Sequence, residues 1–343
     1  MRRTRQRRGE DMHQPAKAAP PPLDPQLFCM QPSPAGAHAA LPVDAYNLFI
    51  NDSVLILDVS TADGPALPGS ARCRTDLPLL EAAAAARQHV VDELTPDNVS
   101  VALLLHEPAE QDRAQQVADW LLEESGWPPR RLCRRILIAD RSALAAEYAF
   151  LFADSIDSLC VHPNEILPRL YLGSAASVSK KALDNLAITH VVSVVERNLA
   201  PPAGREHLLC QIADEECSLL VPVFDVALPF IHAALQTGGR VLVHCERGAS
   251  RSVSVVVSYM IATSKGKLTL AEALANVKAR RPCAQPNIGF LGQLSSLCQR
   301  EPTTLYLDGL VSQVYLNRTA LKGTAHPEVT RVEGMPHPDA VTQ

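Results

Sequence analysis

Residues 238–261 read GGRVLVHCERGASRSVSVVVSYMI. The apolar run Val241–Val243 has the length and β-branched character of a buried strand. It ends at His244 and Cys245, a short turn follows, and a helix is predicted from about Arg251. Packing a core gives no reason to follow a cysteine with Gly, Ser and Arg in this order. Binding an anion does. Successive backbone N–H groups of such a loop point inward, and the helix N-terminus adds partial positive charge, so residues Glu246, Arg247, Gly248, Ala249, Ser250 and Arg251 form a cradle of phosphate size. Gly248 permits a tight backbone path that a Cβ would resist. Arg251, six positions after the cysteine, can fold back and hold two oxygens in a fork.

The same field acts on Cys245. Helix N-termini and nearby cations favour the thiolate, which is the nucleophilic form. Ser252 can donate a hydrogen bond to the sulfur when it becomes a leaving group. Glu246 opposes thiolate formation by its charge and Arg247 supports it, both side chains facing solvent. His244, beside the cysteine, is a supporting residue.

Around this loop the chain reads as an α/β unit beginning near Asn164. EILPRLYLGSA, LAITHVVSVV, HLLCQIA and VLVHC carry strand signals. VSKKALDNL, VALPFIHAALQ, SVSVVVSYMIA and LTLAEALANVKAR are read as helices. Thr269 and Glu272 form a capping box at the start of the last, and Pro282 stops it. The β-branched residues of SVSVVVSYMI suggest a strand on propensity alone. Its length and its place after the loop favour a buried helix. Pro229 lies inside LLVPVFDVALPFIHAAL, so that helix is expected to kink or to start late.

An earlier α/β unit has strand-like segments at 53–60, 98–107 and 132–139, with helical spacing in LLEAAAAARQHVVDEL and EQDRAQQVADWLLEES between them. That alternation predicts a mostly parallel sheet. The organisation expected is a Pro/Ala-rich disordered leader at 1–40, one α/β domain at 41–155, a second at 160–300 and a tail at 301–343 without assigned function.

The chain has 343 residues, 47% of them hydrophobic and 20% charged, with a net charge of −5. This describes a globular protein of two domains and argues against broad nucleic-acid binding. No apolar run reaches the ~18 residues of a membrane span. The basic start, with Arg2, Arg3, Arg5, Arg7 and Arg8, lacks the apolar stretch of a secretory signal and reads either as a solvated tail or as a nuclear-import or polyanion-binding segment. Nine scattered cysteines contain no CxxC pair, so neither a disulfide framework nor a zinc site is indicated, and no metal or other cofactor is expected. A reducing compartment, cytoplasm or nucleus, fits best.

VHCERGASRS matches HCxxGxSRS at every fixed position and resembles the signature loop of the cysteine-dependent dual-specificity protein phosphatases. LPRLYLGSA, ITHVVSV and VKARRPCAQPNIGFLGQL resemble further segments of that family, so the resemblance runs from about Asn164 to Cys298. It implies hydrolysis of phosphotyrosine and phosphoserine or phosphothreonine in a phosphoprotein. In that mechanism Cys245 attacks phosphorus and Arg251 with the loop amides holds the transition state. Asp214 protonates the leaving oxygen and then activates water, and Ser252 assists departure of the thiolate. Glu215 and Glu216 are neighbours of the implied acid. Asn287 is either a brace for the loop or a helix N-cap. Cys217 is either a redox partner for Cys245 or a surface thiol.

Residues 41–151 resemble a rhodanese-like domain through SVLILDVS and GPALPGSARCRT. Sulfur transfer needs a cysteine at the tip of the strand VALLLHE, where the chain has His106, Glu107 and Pro108, so the resemblance implies a catalytically empty domain. That pairing of domains resembles the mitogen-activated protein kinase phosphatases, which implies a MAP kinase partner docked by basic residues. The candidates are Arg72 and Arg74, or Arg130 and Arg131. Two other readings stand beside this one: a non-catalytic phosphoprotein-binding scaffold, and a phosphatase for a phosphoinositide, a glucan or an RNA 5′-phosphate.

Overall fold

The computed structural model describes residues 36–51, 54–61, 65–73, 77–93, 101–123, 135–152, 161–264, 267–298 and 329–331. The basic residues at 2–8, together with Arg74, Arg130 and Arg131, lie outside the described residues.

The first unit runs β1 (Gly36–Ala40), α1 (Pro42–Ile50), β2 (Val54–Asp58), β3 (Ala71–Arg72), α2 (Leu79–Glu93), β4 (Val101–His106), α3 (Gln111–Glu123), β5 (Arg135–Asp140) and α4 (Arg141–Glu147). Its five strands are parallel in the order β1-β5-β4-β2-β3. The second unit runs β6 (Asn164–Leu167), β7 (Leu170–Ser174), α5 (Lys180–Asn185), β8 (His190–Val195), β9 (Glu206–Gln211), α6 (Val221–Gln236), β10 (Val241–Cys245), α7 (Arg251–Thr263), α8 (Leu270–Arg280), α9 (Ile288–Cys298) and β11 (Val329–Arg331). Its sheet has the order β11-β9-β8-β10-β7-β6, parallel from β9 to β7 with an antiparallel strand at each edge. Both units are α/β, as the alternation of apolar runs and helical spacing requires.

Three expectations need correction. Gly36–Ala40, read as the end of a disordered leader, pair with β5 as an edge strand. GAHAA has no strand pattern of its own; its partners are backbone groups, which composition does not reveal. In the tail, Val329–Arg331 add to the second sheet beside β9. Helix α6 does not start late: it begins at Val221 and runs through Pro229. Pro222 occupies its first turn, where a missing N–H costs nothing because no intrahelical acceptor waits for it.

Helix α7 resolves the ambiguity of SVSVVVSYMI. Every residue from Arg251 to Ala262 is buried, and the helix packs against β10, α6, α8 and α9. Helix formation costs a valine at most ~0.7 kcal/mol relative to alanine, whereas burying its side chain returns roughly 1.5–3 kcal/mol. Tertiary burial therefore outweighs β propensity at Val253, Val255, Val256 and Val257.

The two units share a core. Tyr46, Tyr148 and Leu151 of the first cluster with Tyr171, Leu183, Val191 and Leu242 of the second. Tyr46 and Tyr148 stack with ring centroids 4.3 Å apart. Their hydroxyls cross the boundary, Tyr46 donating to Pro163 O at 2.6 Å and Tyr148 to the buried Glu165 carboxylate at 2.6 Å.

Candidate active site

Strand β10 lies between β8 and β7 at the middle of the second sheet, and its five residues are all buried. Cys245 therefore emerges at the C-terminal end of a central parallel strand, where open α/β sheets place their ligand crevices. Between it and α7 the chain turns back through Gly248, whose φ is +70°. A Cβ there would stand 2.5 Å from Gly173 O and 2.5 Å from Arg281 Nη2. Glycine is required twice, by backbone conformation and by space.

The loop carbonyls are held from outside. Ala175 N donates to Glu246 O at 3.1 Å, Gln285 N to Ala249 O at 2.7 Å and Ser254 N to Ser250 O at 2.9 Å. Arg281 donates through Nη2 to Arg247 O at 3.2 Å and through Nε to Gly248 O at 2.7 Å. In a trans peptide the N–H points opposite the C=O. Fixing five consecutive carbonyls outward therefore turns the N–H groups of residues 247–251 toward the sulfur side. Gly248 N–H reaches Cys245 Sγ at 3.2 Å.

Ser252 Oγ is 3.1 Å from the same sulfur. Burial pushes the Cys245 thiol up, but the Ser252 hydroxyl and N–H, the Gly248 N–H and the Arg251 charge outweigh it, leaving the pKa below its ordinary value. Cys73 and Cys210 provide the contrast: burial raises them to about 11 and about 12. Of these three buried cysteines, the one in the loop is held below the ordinary thiol value and the other two above it.

Arg251 is almost fully buried. Its Nη1 donates to Ile212 O at 3.1 Å and lies 3.5 Å from the Glu196 carboxylate. Its Nε has no hydrogen-bond acceptor among the described residues, with Asp214 Oδ2 at 3.5 Å. Asp214 is pinned over the loop: its Oδ1 accepts from Ser250 Oγ at 2.5 Å and from Asn287 Nδ2 at 2.9 Å. Asn287 is both brace and cap, because its N–H also donates to Ser250 Oγ at 3.2 Å while its Oδ1 accepts from Phe290 N at 2.9 Å at the start of α9.

His244 points along the sheet. Ser193 Oγ lies 2.6 Å from His244 Nε2 and 2.8 Å from His207 Nε2, and His244 Nδ1 faces Cys245 O at 3.4 Å. One proton arrangement satisfies the chain: His207 donates to Ser193, Ser193 to His244, and His244 to the cysteine carbonyl. Burial lowers the His244 pKa to about 4, so the neutral ring that this arrangement needs is the one present near pH 7.

Comparison with known proteins bears on the unit that carries this loop. Residues 170–300 match the family model "Dual specificity phosphatase, catalytic domain". The chain is 42% identical over 138 residues to dual specificity protein phosphatase 1 of Arabidopsis thaliana, covering 39% of this chain and 68% of that protein. It belongs to the dual specificity phosphatase family.

The match to dual specificity protein phosphatase 5 of Homo sapiens is 40% over 134 residues, covering 38% of this chain and 34% of the relative, so the chain spans about a third of that protein's length. The human serine/threonine/tyrosine-interacting protein matches at 36% over 159 residues, covering 44% of this chain and 68% of the relative. The second unit is thus a dual-specificity protein phosphatase domain, whose family substrates are phosphoproteins. Among the described residues of this phosphatase, no group of three or more His, Cys, Asp or Glu side chains gathers to hold a metal, and no helix is long and apolar enough to cross a membrane.

Glu246 and Arg247 are exposed, and Glu246 pairs with Arg197 at 3.4 Å. Glu215 and Glu216 are exposed beside the Asp214 loop, and Cys217 is exposed with its Sγ 3.7 Å from Glu215 Oε2. Arg72 is paired with the fully buried Asp58 at 3.1 Å, a carboxylate that also faces Arg141 at 3.4 Å. At the tip of β4 the Glu107 carboxylate accepts from Ser142 Oγ and Arg141 Nη1.

Sequence reasoning missed Arg281, Ser193, His207 and Glu196. Only Arg281 left a signal, as the second arginine of KARRPC directly after a helix, and a charged run there reads equally well as solvated surface.

Proposed function

We propose that this phosphatase hydrolyses phosphate monoesters on tyrosine and on serine or threonine through a cysteinyl-phosphate intermediate. The observation that carries the reading is the lowered thiol of Cys245 inside a ring of inward-facing N–H groups, beside a buried Arg251 Nε that lacks an acceptor.

In the first step Cys245 Sγ attacks phosphorus, and the bond to the leaving oxygen breaks as Asp214 delivers its proton. The N–H groups of residues 247–251 and the Arg251 guanidinium receive the charge that develops on the equatorial oxygens. In the second step water attacks the cysteinyl phosphate, Asp214 takes its proton, and Ser252 stabilises the departing thiolate. A phosphate dianion would displace the Glu196 and Asp214 carboxylates from Arg251, so the guanidinium pairs with substrate in their place.

We infer further that residues 36–152 form a rhodanese-like unit without sulfurtransferase chemistry. Its parallel sheet supports this, as does the carboxylate of Glu107 where a persulfide would need a thiol. A MAP kinase is the substrate class implied by that pairing of units. Arg72 lends docking no support, since it is engaged with Asp58.

The test is turnover of p-nitrophenyl phosphate and of a doubly phosphorylated activation-loop peptide by the purified chain beside Cys245→Ser. Turnover by the parent, loss in the variant and trapping of phosphocysteine after acid quench support the mechanism. A parent that is inert in fresh reductant yet binds tungstate would make the loop a phosphoprotein-binding site.

A further inference from the structure

The loop is tied to the first unit by a continuous run of side chains. Arg281 sits behind the loop with its donors divided: Nη2 and Nε hold the carbonyls of Arg247 and Gly248, while Nη1 donates to Asn164 Oδ1 at 2.8 Å. Asn164 Nδ2 donates to Arg280 O at 2.7 Å and to Asn51 Oδ1 at 3.0 Å. Asn51 Nδ2 donates to the same Arg280 O at 2.7 Å. Asn51 is the residue that ends α1, in the first unit.

The orientations are fixed by chemistry. Arginine has donors only and a backbone carbonyl accepts only, so the Asn164 oxygen must face Arg281 and its amide nitrogen must face Arg280 O. Neither amide can flip without placing donor against donor or acceptor against acceptor. Asn164 itself is 1% exposed, so an unmatched group there could not turn to water.

The consequence reaches the sulfur. The Arg247–Gly248 peptide has its C=O on Arg281 and its N–H on Cys245 Sγ. The next peptide has its C=O on Arg281 and turns the Ala249 N–H inward. The guanidinium thus aims two donors of the cradle, and its own plane is set by the Asn164 oxygen.

We propose that Asn51 is a positioning residue for the Cys245 loop, acting across the boundary between the units through Asn164 and Arg281. The proposal rests on the reading of Cys245 as the nucleophile. The first unit then does more than stabilise the second: it sets the aim of amides that bind phosphate.

The experiment compares the full chain with Asn51→Ala, Arg281→Lys and Tyr46→Phe. Tyr46→Phe removes a hydrogen bond across the same boundary, to Pro163 O, outside this run of contacts. Three quantities are read: the pH profile of Cys245 alkylation by iodoacetamide, inhibition by inorganic phosphate, and the melting temperature. Asn51→Ala removes two neutral hydrogen bonds, of which the one from Asn164 lies on the path to Arg281; losing that one should weaken phosphate inhibition about 2- to 10-fold and move the alkylation midpoint upward. Arg281→Lys should do more, because an ammonium cannot hold three acceptors in one plane. Tyr46→Phe should change the melting temperature and neither of the other readouts.

A folded Asn51→Ala with the parent's alkylation profile and phosphate inhibition overturns the proposal. So does a Tyr46→Phe that shifts both as much, since loose docking would then suffice. If Asn51→Ala does not fold, Arg281→Lys decides: an unchanged thiol in that variant overturns the proposal. A parent chain whose Cys245 titrates as an ordinary thiol and turns nothing over rejects the nucleophile reading instead.

Discussion

Ser252→Ala removes one hydroxyl, 3.1 Å from the Cys245 sulfur, from a helix position with no solvent exposure. The hydroxyl donates to the thiolate as a hydrogen bond to a charged group, worth about 1.5–3 kcal/mol, whereas the neutral thiol is a weak acceptor. Almost the whole interaction therefore favours the ionised form. At ~1.4 kcal/mol per tenfold, removing it lowers the thiolate-to-thiol ratio at a fixed acidic pH by about 10- to 150-fold. The sign follows directly: losing a donor to the thiolate raises the pKa, and the Gly248 N–H and Arg251 remain to hold part of the depression. The assay is the second-order rate of Cys245 alkylation by iodoacetamide from pH 4 to pH 10, with the modified peptide identified by mass. Below the parent's midpoint the variant should react more slowly by that factor. At high pH, with both thiols ionised, the two rates should converge. An unchanged profile would refute the assignment of Ser252 as a thiolate donor. A uniform drop at every pH would show that the hydroxyl governs access to the sulfur rather than its ionisation.

Asp214→Asn should lower kcat/KM for phosphoserine or phosphothreonine peptides by roughly 10²–10⁴-fold, with a smaller loss on p-nitrophenyl phosphate, whose leaving group needs no proton; equal losses on both would reject the acid role. Gly248→Ala puts a Cβ 2.5 Å from Gly173 O at a φ of +70°, so binding of phosphate and tungstate should be lost even where circular dichroism shows a folded chain; retained tungstate binding would count against the cradle. Folding stability should fall on the acid side: the unfolded His244 binds a proton near ~6.5 but the folded one only near about 4, by burial. That depression contributes stability which is fully present above ~6.5 and declines as pH falls toward about 4, by roughly 3 kcal/mol in order of magnitude. Burial lowers His207 and His190 in the same direction. Urea unfolding at pH 7 and pH 4.5 should therefore show a shallower pH dependence for His244→Gln than for the parent.

The sequence by itself determined the α/β class of both units and the strand–loop–helix around Cys245. The reason is local. Apolar runs, capping residues and a glycine with a positive φ act over a few neighbouring positions, and the loop carries its nucleophile, its amides, Arg251 and Ser252 within the eight residues from Cys245 to Ser252. Asp214 and Asn287 were legible only through resemblance, because nothing in their neighbours requires them to meet. They do meet, through Ser250. What only the tertiary structure decided is where distant backbone groups go. Helix α7 is helical because three neighbouring helices and a sheet bury its valines, which no window of β-branched residues reveals. Strands β1 and β11 exist because β5 and β9 offer open backbone edges, not because GAHAA or VTR prefer extension. The support behind the loop, Arg281 with Asn164 and Asn51, joins residues up to 230 positions apart. Hydrogen bonding at such separations is a property of the folded arrangement, and no local pattern of side chains encodes it.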